Sequence, residues 1–109
     1  MRVAVATDNG QVAEHFGRCT HYTMAKIQDS QVLDVVIIDN PGHEPGFLPR
    51  FLAEHGITCI IAGGMGQRAK QLFDAAGIDT IVGVNGSVDQ VLQQYADEAL
   101  ASQGGFCNH

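Results

Sequence analysis

The sequence predicts an α/β fold of one domain, in which a mixed five-stranded sheet is covered by three helices. The 109 residues are enough for one hydrophobic core and too few for two. Short apolar runs rich in β-branched residues alternate with stretches whose apolar residues recur every three or four positions. The predicted element order is β, β, β, α, β, α, β, α. Right-handed crossovers between the parallel strands then lead to the strand order 3-2-1-4-5.

The first three strands are predicted in the N-terminal part of the chain. Strand one is the apolar run of residues 2–7, which stops at the turn Asp8-Asn9-Gly10. Residues 22–28 and 31–39 are two extended runs whose short connection fits a tight antiparallel hairpin. Residues 11–21 have no sustained period. We predict that they form a loop at the C-terminal edge of strand one, where α/β proteins often bind ligands.

The central part of the chain predicts a helix and a buried strand. The helix follows the Pro- and Gly-containing loop of residues 40–46 and ends at Gly56. Its apolar stripe consists of Phe47, Leu48, Phe51 and Leu52. Residues 58–62 are apolar after the first residue, which suits a parallel strand that is covered on both faces.

Two more helices flank the last strand, which is predicted at residues 79–84. Helix two begins after a glycine-rich turn, ends at Gly77, and has an apolar face of Ala69, Leu72, Phe73 and Ala76. Helix three is expected to begin at Ser87, an N-cap whose capping box is completed by Gln90. Its inward face consists of Val88, Val91, Leu92, Tyr95, Ala99 and Leu100.

Composition and charge exclude several classes of function. The formal net charge is −6 and the six basic residues are scattered, so nucleic-acid binding is not expected. No stretch approaches the roughly 20 apolar residues of a membrane span, so we expect a cytoplasmic protein without membrane attachment. The three widely spaced cysteines predict free thiols and no disulfide framework. We expect a monomer or a weak dimer, with a domain of residues 1–102 and a flexible tail of residues 103–109.

A glycine cluster follows the fourth predicted strand and precedes the second helix. Gly63, Gly64 and Gly66 therefore lie at a helix N-terminus, where exposed backbone N–H groups and the helix dipole favour an anion. The alternative is a tight turn that needs positive φ and binds nothing. The strand order puts this corner at the same sheet edge as the loop of residues 11–21, and hence near His15.

Several side chains are candidate ligands for a metal. His15 leads because it lies in an irregular loop beside the predicted corner, although a lone histidine is also a common surface residue. Cys19 and His21 could add ligands, with an exposed thiol and a solvated imidazole as the alternative. In the tail, Cys107 and His109 lie within chelating reach of each other, yet two ligands do not make a zinc site.

Two other sets of residues are not assigned a ligand-binding role. Cys59 lies within the buried fourth strand, where we interpret it as a small core residue. Asp8 and Asp39 end two strands and could approach each other as Mg²⁺ ligands do, but the acidic balance disfavours a nucleic-acid substrate. Turn formation is the alternative role for both.

Two short motifs, His15-Phe16-Gly17 and Gly63-Gly64-Met65-Gly66, follow the first and fourth predicted strands. On these motifs nearly the whole chain resembles the dinitrogenase iron-molybdenum cofactor-binding family, which includes NifX-like proteins and the C-terminal domain of NifB. The resemblance implies a ribonuclease-H-like fold and a carrier of anionic metal-sulfur clusters that is not an enzyme. It implies cluster donor and acceptor proteins as partners. The chain lacks a CxxxCxxC motif, so synthesis of a cluster is not expected.

Three hypotheses about function follow. The favoured one is a carrier of an iron-molybdenum cofactor precursor or a related iron-sulfur or molybdenum-containing cluster, with a site formed by the two motifs. The second is an enzyme that binds a small anion or a nucleotide at the same corner, for which only Arg68 and Lys70 are available as a positive clamp. The third is an interaction module without a ligand.

Overall fold

A mixed sheet of six strands and three helices forms the part of the chain that the computed structural model describes, residues 1–42 and 47–97. The strands are β1 (Arg2–Asp8), β2 (Gln11–Val12), β3 (His21–Gln28), β4 (Gln31–Asp39), β5 (Ile57–Ile61) and β6 (Asp79–Ile81). The helices are α1 (Phe47–Glu54), α2 (Gln67–Ala76) and α3 (Val88–Ala96). No helix in these two ranges is long and apolar enough to cross a membrane.

The order of the five longer strands agrees with the prediction. They lie in the order β4-β3-β1-β5-β6, with β5 parallel to both β1 and β6, and with β3 antiparallel to β1 and β4. This arrangement is the predicted order 3-2-1-4-5. β4 and β6 are therefore the two edge strands. Because β1 and β5 are parallel, the chain leaves both of them at the same end of the sheet.

The predicted count of five strands is wrong, because β2 lies within the segment that was predicted as loop. Its two residues pair antiparallel with the end of β1, Thr7 with Val12 and Asp8 with Gln11. The connection is a tight turn in which Asn9 and Gly10 have φ of 50° and 77°. A strand of two residues has no periodicity that a sequence could reveal.

The bounds of four predicted strands also shift. β1 ends at Asp8, one residue later than predicted. β3 begins at His21, so this residue belongs to a strand and not to a loop exit. β5 spans Ile57–Ile61, one residue earlier than predicted. β6 ends at Ile81 because Gly83, with φ of 79°, turns the chain and donates its N–H to the carbonyl of Gly63.

Two apolar layers cover the sheet, one on each face. Val3 and Val5 of β1 point toward α3, whereas Ala4 and Ala6 point toward α1 and α2. Cys59 is fully buried in the α3 layer, as predicted for a core residue. In α2 the predicted inward face is narrower than expected, since Phe73 is buried but Ala76 is exposed. Ala99 and Leu100 lie outside the described residues.

Candidate functional site

The loop after β2 packs directly against the glycine corner after β5. Gly63 donates its N–H to the carbonyl of Ala13 at 2.8 Å, and Phe16 donates to the carbonyl of Gly64 at 2.9 Å. His15 follows in the same loop, and its Nδ1 lies 3.8 Å from the position that a Cβ on Gly64 would occupy. The structure therefore brings His15 and the corner together at one edge of the sheet.

Close approach of two backbones explains the first two glycines of the corner. A Cβ on Gly63 would lie 2.9 Å from the Cα of Glu14, and one on Gly64 would lie 3.0 Å from the carbonyl oxygen of Glu14. Real Cβ atoms essentially never approach other atoms more closely than 3.0 Å. Gly63, Gly64 and Gly66 do not have positive φ, so the alternative of a turn that needs positive φ does not describe this corner.

The corner presents a continuous run of unpaired backbone N–H groups. The N–H of Gly63 is bonded to Ala13, so it is not available to a ligand. From Gly64 to Ala69, six successive N–H groups have no acceptor within residues 1–42 and 47–97. The next N–H, that of Lys70, begins the helix by donating to the carbonyl of Gly66. We call the N–H groups of residues 64–69 the amide run.

Helix α2 adds positive charge behind the amide run. Its N-cap, Gly66, has no side chain to satisfy the first N–H groups, and its first turn contains no acidic residue. The helix dipole therefore contributes an uncompensated partial positive charge at this end. Arg68 is exposed in the first turn, whereas Lys70 pairs with Asp74 at 3.3 Å. The local field favours an anion, although Glu14 is exposed on the facing loop.

Hydrogen bonds and aromatic contacts hold the loop that contains His15. The side-chain amide of Asn40 donates to the carbonyls of Gly17 and Cys19, at 3.2 and 2.9 Å. Phe16 packs against the rings of Tyr22 and Phe73, with centroids 5.6 and 5.0 Å away. The N–H of Thr20 donates to Asp8 at 2.8 Å. His15 thus stands exposed on a loop whose backbone is anchored at both ends.

Cys19 and His21 do not join His15 in a metal site in the described structure. Cys19 is a buried thiol and not the exposed thiol of the alternative reading. His21 uses both ring nitrogens, with Nε2 at 3.2 Å from Asp39 and Nδ1 at 2.8 Å from the hydroxyl of Thr20. Within the described ranges, no three His, Cys, Asp or Glu side chains are placed to hold a metal ion. Cys107 and His109 lie outside those ranges.

A buried hydroxyl lies beneath the loop. Tyr22 is fully buried, and within residues 1–42 and 47–97 its OH group has no hydrogen-bond partner of good geometry, although Cys19 and the backbone at Gly17 lie beside it. Burial raises the pKa of the Tyr22 phenol far above its ordinary value; the neighbouring Cys19 thiol raises this pKa further, while the backbone at Gly17 acts in the opposite direction. Tyr22 therefore remains neutral at any physiological pH.

The two aspartates that could have approached each other have separate partners. Asp8 accepts from the backbone of Thr20, and Asp39 pairs with His21. Each carboxylate supports a strand end, which agrees with the alternative role in turn formation more than with a shared Mg²⁺ site. Asn40 also supports the loop, a role that the sequence analysis missed. The only signal for it was a turn-forming amide directly after an apolar strand.

A family model and a curated relative match nearly the whole chain. The model of the family described as dinitrogenase iron-molybdenum cofactor matches residues 1–98. An uncharacterised protein of Methanocaldococcus jannaschii is 28% identical over 105 residues, which are 92% of this chain and 89% of the relative. The region matched by the family model therefore spans the positions of both motifs, residues 15–17 and 63–66.

Solved structures share the architecture. The crystal structure of the protein PH0822 superposes with a TM-score of 0.86 at 31% identity, covering 95% of this chain and 97% of the other. The apo form of the orange protein from Desulfovibrio gigas superposes with a TM-score of 0.76 at 24% identity, covering 98% and 96% of the two chains. At that identity the second similarity is evidence for the fold alone.

Proposed function

The chain belongs to the dinitrogenase iron-molybdenum cofactor family, and we propose that it binds and carries a preassembled anionic metal-sulfur cluster at the amide run and His15. The observation that supports this proposal most directly is the run of six unpaired N–H groups at the N-terminus of α2. Backbone N–H groups at such an end are donors that bind anions without any charged side chain.

The groups available at the corner suit a metal-sulfur cluster better than a bare metal ion. A zinc or iron ion needs several side-chain ligands, and the corner offers one exposed imidazole and the half-buried thioether of Met65. A metal-sulfur cluster arrives with its metals already coordinated by sulfide, and its negative charge is spread over the outer sulfur atoms. Such a cargo needs hydrogen-bond donors and one contact from His15, as a ligand or as a charge-assisted donor.

The finer parts of the proposal follow from the family. The cargo would be an iron-molybdenum cofactor precursor or a related iron-sulfur or molybdenum-containing cluster. The protein would be a carrier in the cytoplasm that receives the cluster from one protein and delivers it to another, without catalysing a reaction. Its fold would be of the ribonuclease-H-like type, with residues 1–102 as the binding domain and residues 103–109 as a tail.

A small anion or a nucleotide is the competing ligand, because the same amide run would also bind phosphate. An enzyme acting on such a ligand would need a general acid or base and a positive clamp. Of the two cations in the first turns of α2, Lys70 is already paired with Asp74, which leaves Arg68. This charge deficit is the reason for preferring a diffuse anion over a phosphate ester.

The experiment is an anaerobic titration of the full chain with tetrathiomolybdate, the simplest anionic molybdenum-sulfur probe, followed by gel filtration and metal analysis. The wild type should retain the probe. His15→Ala should weaken retention about tenfold or more, since losing one charge-assisted hydrogen bond costs about 1.5 to 3 kcal/mol. The matched control is His55→Ala, which removes another exposed histidine. His55 lies just before β5, at the opposite end of this strand from the corner, and its Nδ1 contacts the carbonyl of Phe51 at 2.8 Å.

Two outcomes would contradict the proposal. Equal retention by the wild type and His15→Ala would remove His15 from the site and make Cys19, His21, Cys107 and His109 the next candidates. Tight binding of ATP or inorganic phosphate with no retention of the thiometallate would favour the competing ligand. Unchanged melting temperatures in both histidine variants are required for either comparison.

A further inference from the structure

The edge strand β4 exposes an unusual amount of apolar surface. Of the five exposed large hydrophobic residues in the described ranges, four lie on this strand: Leu33, Val35, Val36 and Ile37. Ile37 is 63% exposed and Val36 is 50% exposed, and they point to opposite faces of the sheet because they are adjacent in a strand. Apolar side chains are therefore exposed on both faces of the sheet along this strand.

The backbone of β4 is available along the same edge. β4 pairs with β3 on one side only, and within the described residues no strand pairs with its other side. Edge strands in natural proteins are commonly protected by charges, prolines or bulges. β4 has a bulge at Asp34 and Val35 opposite Ala25, with Asp34 at φ of 51°, and two exposed charges, Asp34 and Asp39. Beyond the bulge, residues 36–39 form a regular edge without proline.

We propose that residues 36–38 of β4 pair antiparallel with the same residues of a second copy of this chain, centred on Ile37. In a twofold antiparallel pair the residue on the axis faces its own copy, because the alternating ladder can be symmetric only about a residue. An axis at Ile37 places Ile37 opposite Ile37 and Val36 opposite Ile38, while Asp39 falls opposite the bulge residue Val35.

The distribution of charge favours a second copy as the occupant. In this register no aspartate lies opposite another, so the ladder places no like charges face to face. Val36 and Ile37 meet apolar partners across the axis, whereas Val35 belongs to the bulge and lies outside the pairing. The regular edge offers no basic residue that would pair with an acidic partner, and its single charge, Asp39, is already paired with His21. A second β4 therefore supplies hydrogen-bond partners for the backbone of residues 36–38 and apolar partners for their side chains.

The pairing leaves the amide run accessible. A twofold axis at β4 reverses the strand directions of the second sheet. The glycine corners of the two copies therefore lie at opposite strand ends of the continuous sheet. Each copy has a formal net charge of −6, and long-range repulsion opposes association at low salt. The dimer should therefore become stronger as the salt concentration rises, which distinguishes it from an association driven by ion pairs.

Sedimentation equilibrium of the full chain tests the proposal, over protein concentrations of about 10 to 500 µM at low and high salt. The wild type should show a monomer-dimer equilibrium whose dimer fraction rises with both protein and salt. Ile37→Lys places two like charges opposite each other on the axis and should raise the dimer dissociation constant at least about tenfold. Ala75→Lys, on the exposed face of α2, makes the same change in net charge and should leave the dimer intact.

A wild type that is monomeric at every concentration and salt level would overturn the proposal, whatever else covers the edge. Equal dimerisation of the Ile37→Lys and Ala75→Lys variants would overturn it as well, because the interface would then lie elsewhere. Ile37→Thr, a neutral β-branched substitution, should weaken the dimer while keeping the strand. It replaces the lysine variant if that variant does not fold, and an undiminished dimer in Ile37→Thr would count against the proposal in the same way.

Discussion

Replacing Gly63 with alanine tests the close packing on which the candidate site is built. The new Cβ would lie 2.9 Å from the Cα of Glu14 and 3.0 Å from the carbonyl oxygen of Ala13. Both atoms belong to the backbone, and the same carbonyl accepts the N–H of Gly63 at 2.8 Å. The two chains can separate only by stretching that hydrogen bond.

The expected loss of stability combines three effects. Forcing an extra carbon into a packed region costs about 1 to 3 kcal/mol. Weakening the hydrogen bond to Ala13 adds up to about 1 kcal/mol. The reduced entropy of the unfolded chain returns about 0.4 to 1 kcal/mol. These terms span a loss of about 0 to 3.6 kcal/mol, so Gly63→Ala should lower the free energy of unfolding by about 2 kcal/mol, the middle of that span, as measured by guanidinium chloride denaturation.

Gly66→Ala is the matched control. A Cβ on Gly66 would meet no atom within 4 Å, and its φ of −65° suits any residue. The entropy gain and the slightly poorer N-cap nearly cancel, so stability should change by about 0.5 kcal/mol or less. If Gly63→Ala proved as stable as Gly66→Ala, the close approach of the loop and the corner would not exist in solution, and the position of His15 would have no structural basis.

Three further predictions concern the loop and the tail. Tyr22→Phe removes a buried hydroxyl that has no well-formed hydrogen bond to the described residues, and should raise the free energy of unfolding by about 1 kcal/mol. Because the pKa of Tyr22 is raised in the folded state, the stability of the wild type is retained below pH 10.0 and falls above it. The difference in unfolding free energy between Tyr22→Phe and the wild type should therefore widen above that pH. A difference that stays constant up to about pH 11 would contradict this. Asn40→Ala removes the hydrogen bonds to Gly17 and Cys19 and should cost about 1 to 2 kcal/mol in urea denaturation, and no loss would mean that other contacts hold the loop. A chain ending at Ser102 should keep its melting temperature, whereas a loss of more than about 1 kcal/mol would mean that the tail packs on the domain.

The long elements of the fold could be predicted because each has a strong local pattern. The continuously apolar run of β5 predicted a central parallel strand, and Ser87 with Gln90 predicted the start of α3. The N–H of Gln90 does donate to the hydroxyl of Ser87, at 3.2 Å. β2 could not be predicted, because its two residues form a strand only through pairing with β1. The bulge at Asp34 likewise depends on the register with β3.

The candidate site was predictable in position but not in detail. The predicted strand order was enough to place His15 at the same end of the sheet as the glycine corner. The sequence could not reveal that Gly63 donates to Ala13, because that bond depends on how closely two distant backbones approach. It also could not reveal that Cys19 points into the core, since a cysteine in an irregular loop has no periodic pattern to mark it as buried.

The glycines of the corner therefore have different roles that the proposed experiments can separate. Gly63 has its N–H and its missing Cβ committed to packing against the loop, so its replacement should lower stability and probe retention together. Gly66 contributes an N–H to the amide run without any close contact, so alanine there should preserve both properties. His15 is exposed and outside the core, so its replacement should lower retention alone. We therefore expect His15→Ala to lose the probe without losing stability, and Gly63→Ala to lose the probe in proportion to its loss of stability. This combination is expected only if the loop supplies the contact to the probe and the corner holds the loop in position.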